Sequence, residues 1–108
     1  MSDTQNWTDA LAEDQLRADD VLAWPRPDGR GELALYRVDG EVFATDNRCT
    51  HGDARLCEGF LLGHEIECPL HQGRFDIRDG QPQCAPLTEP LRCHPVRVLG
   101  GRVWVALD

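Results

Sequence analysis

The chain has 108 residues, enough for one domain with its own core and no need of staples. With 41% apolar and 28% charged residues, disorder is excluded, and no apolar run approaches the roughly 20 residues of a membrane span. A formal charge of −8 argues against nucleic acid, whose phosphates would repel it, and favours a partner with a basic face.

The start, Met1 to Asn6, has neither a basic region nor an apolar stretch, so it does not read as a signal peptide. The expected compartment is the cytoplasm, where free thiols persist. Trp7 alternates with polar neighbours and fits the start of a short strand. Thr8 or Asp9 is placed to cap a helical turn, and a short helix is expected over about Leu11–Arg17. Val21 to Trp24 reads as a strand stopped by Pro25 and Pro27, followed by a surface loop to Gly31.

Glu32 to Val38, Asp39-Gly40 and Glu41 to Thr45 form a strong hairpin signal, because Asp-Gly supplies the positive φ angles of a two-residue turn. Leu33, Leu35 and Arg37 should face one way, and Ala34, Tyr36 and Val38 the other. The second strand leads through Asp46-Asn47-Arg48 into Cys49. Glu58 to Gly63 turns the chain back. His64 to Cys68 alternates charged and apolar residues, and Gly73 to Ile77 reads as a strand that turns at Asp79-Gly80. Gln81 to Pro90 is loop-like. Strands at about Pro95–Leu99 and Arg102–Ala106 flank Gly100-Gly101 as a second hairpin. Short strands, frequent turns and little helix predict an all-β fold, a small antiparallel β-sandwich or barrel with the loops around Cys49 and Cys68 at one end.

Those loops carry the chemistry. Cys49-Thr50-His51 and Cys68-Pro69-Leu70-His71 are separated by 16 residues, and each offers one thiolate and one imidazole. Both donor types suit iron, and the pairing suggests a [2Fe–2S] cluster with two Cys on one iron and two His on the other. Gly52 and Gly73 flank the loops, where backbone has to pass close to inorganic sulfide. A structural zinc site also takes two Cys and two His, but zinc frameworks usually draw both sulfurs from one knuckle, and neither loop here holds two Cys. Cys57, Cys84 and Cys93 read as small buried or half-buried residues. His64 and His94 read as ordinary surface or edge residues.

Nearly the whole chain resembles the Rieske ferredoxin components of bacterial aromatic-ring dioxygenases of the naphthalene, nitroarene and anthranilate type. The resemblance is carried by Leu33 to Tyr36, Ala44 to Asn47, Cys49 to Gly52, Glu67 to Asp76 and Cys84-Ala85-Pro86. It implies a single Rieske domain over residues 1–108 with a cluster-binding subdomain at about 46–87. It also implies one [2Fe–2S] cluster, with Cys49 and Cys68 on one iron, His51 and His71 on the other, and Pro86 on a third, shielding loop.

The implied role is electron relay without a catalytic site of its own. An NADH-dependent flavin reductase would be the donor and a terminal Rieske non-haem iron oxygenase the acceptor, with no nucleic acid and no membrane involved. High-potential respiratory relatives carry a disulfide between the ligand loops, at positions that are Ala54 and Leu70 here, and a Ser and a Tyr hydroxyl where this chain has Gly73 and Phe75. The competing readings are a zinc-stabilised interaction module and a nitrite reductase small-subunit-like protein, a Rieske-like fold that often lacks the ligands.

Overall fold

The computed structural model describes residues 6–50, 52–70, 73–84 and 87–107. Ten strands make three antiparallel sheets among these residues. β1 (Asn6–Ala12), β10 (Arg102–Leu107) and β9 (Val96–Leu99) form one, in that order. β2 (Asp20–Pro25), β3 (Glu32–Val38), β4 (Glu41–Asp46) and β8 (Cys93–His94) form the second. β5 (Phe60–Leu62), β6 (Glu65–Glu67) and β7 (Arg74–Asp76) form the third. No helix among the described residues is long and apolar enough to cross a membrane.

The hairpin of β3 and β4 is the wall between two cores. Its register pairs Val38 with Glu41, so Asp39 and Gly40 are the turn, with φ of 52° and 79°. Positive φ at both central positions matches the twist of the two strands. The predicted alternation along β3 holds: Leu33 and Leu35 enter one core, and Ala34, Tyr36 and Val38 enter the other. The first core joins Leu33, Leu35 and Ala44 to Val103, Val105 and Leu107 of β10 and to Leu16. The second joins the opposite face of β3 to Leu56, Ile66, Phe75 and Ile77, and to Cys49 and Cys68. β3 is therefore almost fully buried along its length, although the sheet is antiparallel.

The chain before β2 departs from expectation. In place of a helix over 11–17, β1 runs through Ala12 and a single 3₁₀ turn, Glu13–Gln15, follows. The β1–β10 register shifts between Asp9 and Leu11, a bulge that breaks the period of two and leaves apolar residues at a helix-like spacing. Pairing with β10 supplies partners that a lone helical turn would lack, and tertiary pairing overrides local propensity. Asp9 is no helix cap; it pairs with Arg102 across the two strands. β5 and β8 were not expected as strands, being only three and two residues long.

Candidate metal centre

The two cysteines singled out by the sequence lie at the tips of two hairpin loops with a shared closure. The first loop is closed at its base by a bridge between Arg48 and Arg55, and the Cys49 N–H donates to the Ala54 carbonyl at 3.0 Å. The second sits between β6 and β7, and the Cys68 N–H donates to the Gly73 carbonyl at 2.7 Å. In each loop the cysteine amide reaches the carbonyl five residues on.

Both sulfurs point into the second core. Cys49 and Cys68 are each 2% exposed and lie in the same buried cluster. Burial, then the contact with Cys49, pushes the Cys68 thiol up to about 11. A pair of buried sulfurs suits a bound cation, a charge that an iron would supply. The donor set therefore fits one thiolate-bound iron of a [2Fe–2S] group. All five cysteines are free, so no disulfide braces the loops. His51 and His71, the expected imidazole donors, lie outside the described residues, as does Pro86.

Polar side chains that no motif announced hold the first loop in place. Asn47 is 2% exposed and bonds to both β3 and the turn at Leu56–Glu58. Its side-chain amide donates to Glu32 Oε1 at 3.0 Å and to Cys57 Sγ at 3.3 Å, and its Oδ1 accepts from the Cys57 N–H at 2.9 Å. Arg55 grips both carboxylate oxygens of Glu32, at 2.9 and 3.0 Å. The Arg55 guanidinium first, and the Asn47 amide second, hold the Glu32 carboxyl below its ordinary range. Loop and hairpin are thereby tied at the residues just before and just after Cys49 and Ala54. The only hint in the sequence was the short polar run before Cys49, which carries no spacing rule.

The segment after Cys84 ties the two ligand loops together. Thr50 Oγ1 donates to the Glu89 carbonyl at 2.9 Å, while Leu87 packs over Gly73. A Cβ on Gly73 would meet Leu87 Cγ at 2.5 Å, so Gly73 gives way to Leu87. Farther along, Gly80 has φ of 81°, and a Cβ there would meet the Leu91 carbonyl oxygen at 2.2 Å. Only glycine meets both demands at that turn.

The spare histidines are less alike than their sequence context suggests. His64 is half-buried and meets Phe43 edge-on at 5.7 Å. His94 is on an edge strand but not on the surface: its side chain is 2% exposed and its Nε2 lies 2.8 Å from Asp46 Oδ1. The reason is the pairing of β8 with β4, which turns the ring inward beside Asp46. Cys57, Cys84 and Cys93 are all half-buried. Arg74 lies 3.4 Å from Glu65 Oε1, and Cys84 first and Glu65 second push its guanidinium further up.

The comparisons agree with this geometry. The family model for the Rieske [2Fe–2S] domain matches residues 6–95. The ferredoxin component of the naphthalene 1,2-dioxygenase system of Pseudomonas aeruginosa is 52% identical over 105 residues, covering 97% of this chain and 99% of the relative. The ferredoxin component of the 2,4-dinitrotoluene dioxygenase system of Burkholderia sp. (strain RASC) is 45% identical over 113 residues, covering 97% and 99%. Among solved structures, a chain in the complex of reduced oxygenase and oxidized ferredoxin of carbazole 1,9a-dioxygenase superposes with a TM-score of 0.88 at 39% identity, covering 95% of this chain and 94% of that one. With a matched domain over most of its length and two thiols buried at paired hairpin tips, the chain belongs to the Rieske [2Fe–2S] domain family.

Proposed function

We propose that the protein is the one-electron carrier of a multicomponent aromatic-ring dioxygenase system. It would take electrons from an NADH-dependent flavin reductase and deliver them to a terminal Rieske non-haem iron oxygenase, in the cytoplasm, with no catalytic site of its own. The observation that carries this reading is the buried Cys49–Cys68 thiol pair at two hairpin tips, each followed closely by a histidine in the sequence. The curated relatives are named as ferredoxin components, and a structural neighbour comes from a complex of an oxygenase with a ferredoxin.

In this reading Cys49 and Cys68 hold one iron and His51 and His71 the other. The cluster-binding subdomain spans about residues 46–87 of a single domain over 1–108. A bound [2Fe–2S] group of this kind takes up and returns a single electron without breaking a bond. The chain's residues supply its setting. The second core keeps water from the sulfurs, and the amide closures at Cys49 and Cys68 keep the ligands from moving when the charge changes. Asn47, Glu32 and Arg55 brace the first loop, and Thr50 and Leu87 brace it against the second through the third loop.

The test is direct transfer. Purified protein should be red-brown, bleach on anaerobic reduction, and recover its oxidised spectrum when an oxidised terminal oxygenase is added without dioxygen. A colourless protein with one zinc per chain would overturn the reading in favour of an interaction module. A coloured protein that no such oxygenase reoxidises would overturn the assigned partner.

A further inference from the structure

Leu87 stands where a side chain at position 73 would stand. A Cβ on Gly73 would meet Leu87 Cγ at 2.5 Å, Cδ1 at 2.7 Å and Cδ2 at 2.9 Å, so three carbons of one leucine fill that space. The backbone itself does not ask for glycine here: Gly73, unlike Gly80, is not among the residues with positive φ. The leucine is the reason. It is 7% exposed and belongs to the core cluster that holds Cys49 and Cys68. Gly73 closes the second ligand loop, since its carbonyl accepts the Cys68 amide at 2.7 Å. The segment around the leucine is held as well. The Leu87 N–H donates to the Cys84 carbonyl at 3.2 Å, and two residues on, the Glu89 carbonyl accepts from Thr50, the neighbour of Cys49.

We propose that Leu87 is a potential-setting residue of the bound cluster. By filling the space beside Gly73 it keeps both a side-chain hydroxyl and water away from the Cys68 side of the site. Hydrogen bonds to sulfur and access of solvent both favour the reduced, more negative state, and the apolar shell around a site controls that access. A glycine at 73 removes a hydroxyl but by itself leaves a gap; the leucine closes it. Leu87 acts through the space it excludes, so it is a positioning residue. The inference rests on Cys68 as a cluster ligand.

The experiment is protein-film voltammetry of the whole, cluster-loaded protein, with denaturant unfolding alongside. Leu87→Ala should favour reduction about ten-fold at a fixed ambient potential, an upward shift of about 59 mV for one electron. Leu91→Ala is the control. Leu91 is 3% exposed in the same core cluster, but its contact is with the turn at Gly80. Both truncations should lower the unfolding midpoint, and only Leu87→Ala should move the potential by more than about two-fold in that equilibrium. Leu87→Met, which keeps the bulk, should stay within about two-fold of wild type. Gly73→Ser alone should load cluster poorly, because the leucine must move. Gly73→Ser/Leu87→Ala should load well and lie above Leu87→Ala in potential.

A loaded Leu87→Ala protein at the wild-type potential would overturn the proposal, as would a Leu91→Ala shift of equal size. If Leu87→Ala takes up no cluster, Leu87→Val, one carbon shorter than wild type, decides: an upward shift of about three-fold supports the assignment and the wild-type value overturns it. Failure of the ligand reading is a separate result, because Cys68→Ser would then keep the wild-type spectrum.

Discussion

One strand, β3, serves two unlike cores. On one face Leu33 and Leu35 pack against Val103, Val105 and Leu107, an aliphatic interior made almost wholly by strands, with Leu16 the one buried residue from outside them. On the other face Ala34, Tyr36 and Val38 meet Leu56, Ile66, Phe75 and two cysteines, an interior made largely by loops. The strand core is coded by alternation and held by burial of apolar surface. The loop core needs more. Tyr36 donates or accepts a buried hydrogen bond with Thr45 at 2.9 Å, burial holds its phenol above the usual range, and Asn47 spends its amide on tying β3 to the turn at Cys57. The difference teaches that the fold is a self-sufficient sandwich carrying a ligand end that depends on specific polar bonds and on what its cysteines hold.

The sharpest break of that comparison is loss of a ligand. Cys49→Ser, Cys68→Ser, His51→Ala or His71→Ala should leave little or no native visible spectrum, because metal binding supplies folding free energy to the loops. Amide exchange should quicken around β5, β6 and β7 while β1, β9 and β10 stay protected. Cys57→Ser, Cys84→Ser and Cys93→Ser should keep the spectrum; a folded but colourless Cys57→Ser protein would count against the ligand set.

The converse substitution lies in the strand core. Leu35 is fully buried, and Leu35→Ala should cost about 2–5 kcal/mol in denaturant unfolding of the loaded protein while leaving the spectrum unchanged. Smaller again is the brace. Asn47→Ala leaves the Cys57 amide without its acceptor and should cost about 1–3 kcal/mol. Its signature is faster loss of the visible band at fixed temperature, which a change confined to the strand core would not produce.

The smallest effect is a pH dependence. The folded-state pKa of Glu32 is lowered by Arg55, so the stability its charge contributes is present above the ordinary value of 4.5. That contribution is lost as pH falls through the folded value. Glu32→Gln should therefore be less stable than wild type at pH 7, with the gap closing below about pH 4.5. A gap that widened in acid would contradict the assignment of Glu32 as a charged anchor.

The two cores also differ in how far the sequence exposes them. The β3–β4 hairpin, its turn and the facing of every residue on β3 follow from a period of two and one Asp-Gly pair. The Gly100-Gly101 hairpin follows likewise, with φ of 60° and 74°. A bulge in β1 hides its period, so the stretch reads as helix. Cys49 and Cys68, the proposed ligands, are legible because metal chemistry demands donor types at set spacings. Asn47, Glu32, Arg55 and Leu87 are not, because their partners lie far along the chain and any polar or apolar residue satisfies the local pattern. His94 shows the same limit: burial beside Asp46 arises from the pairing of β8 with β4, a contact across nearly 50 residues.

The central claim is that the paired thiols belong to a low-potential Rieske centre suited to relay. The positions where high-potential relatives place hydroxyl donors hold Gly73, with Leu87 packed into its side-chain space, and Phe75, which is fully buried. Hydrogen bonds to sulfur favour the reduced, more negative state, so their absence lowers the potential, while neutral imidazole ligands keep it above that of four-thiolate centres. Phe75→Tyr is the cleaner companion variant, since Gly73→Ser requires Leu87 to move. Protein-film voltammetry of the wild type at neutral pH measures the quantity directly. The account predicts about −150 mV, near the low end of the Rieske range and above the roughly −400 mV of plant-type ferredoxins. A potential above zero would contradict both the hydrogen-bond argument and the place of the protein between a flavin and an oxygenase.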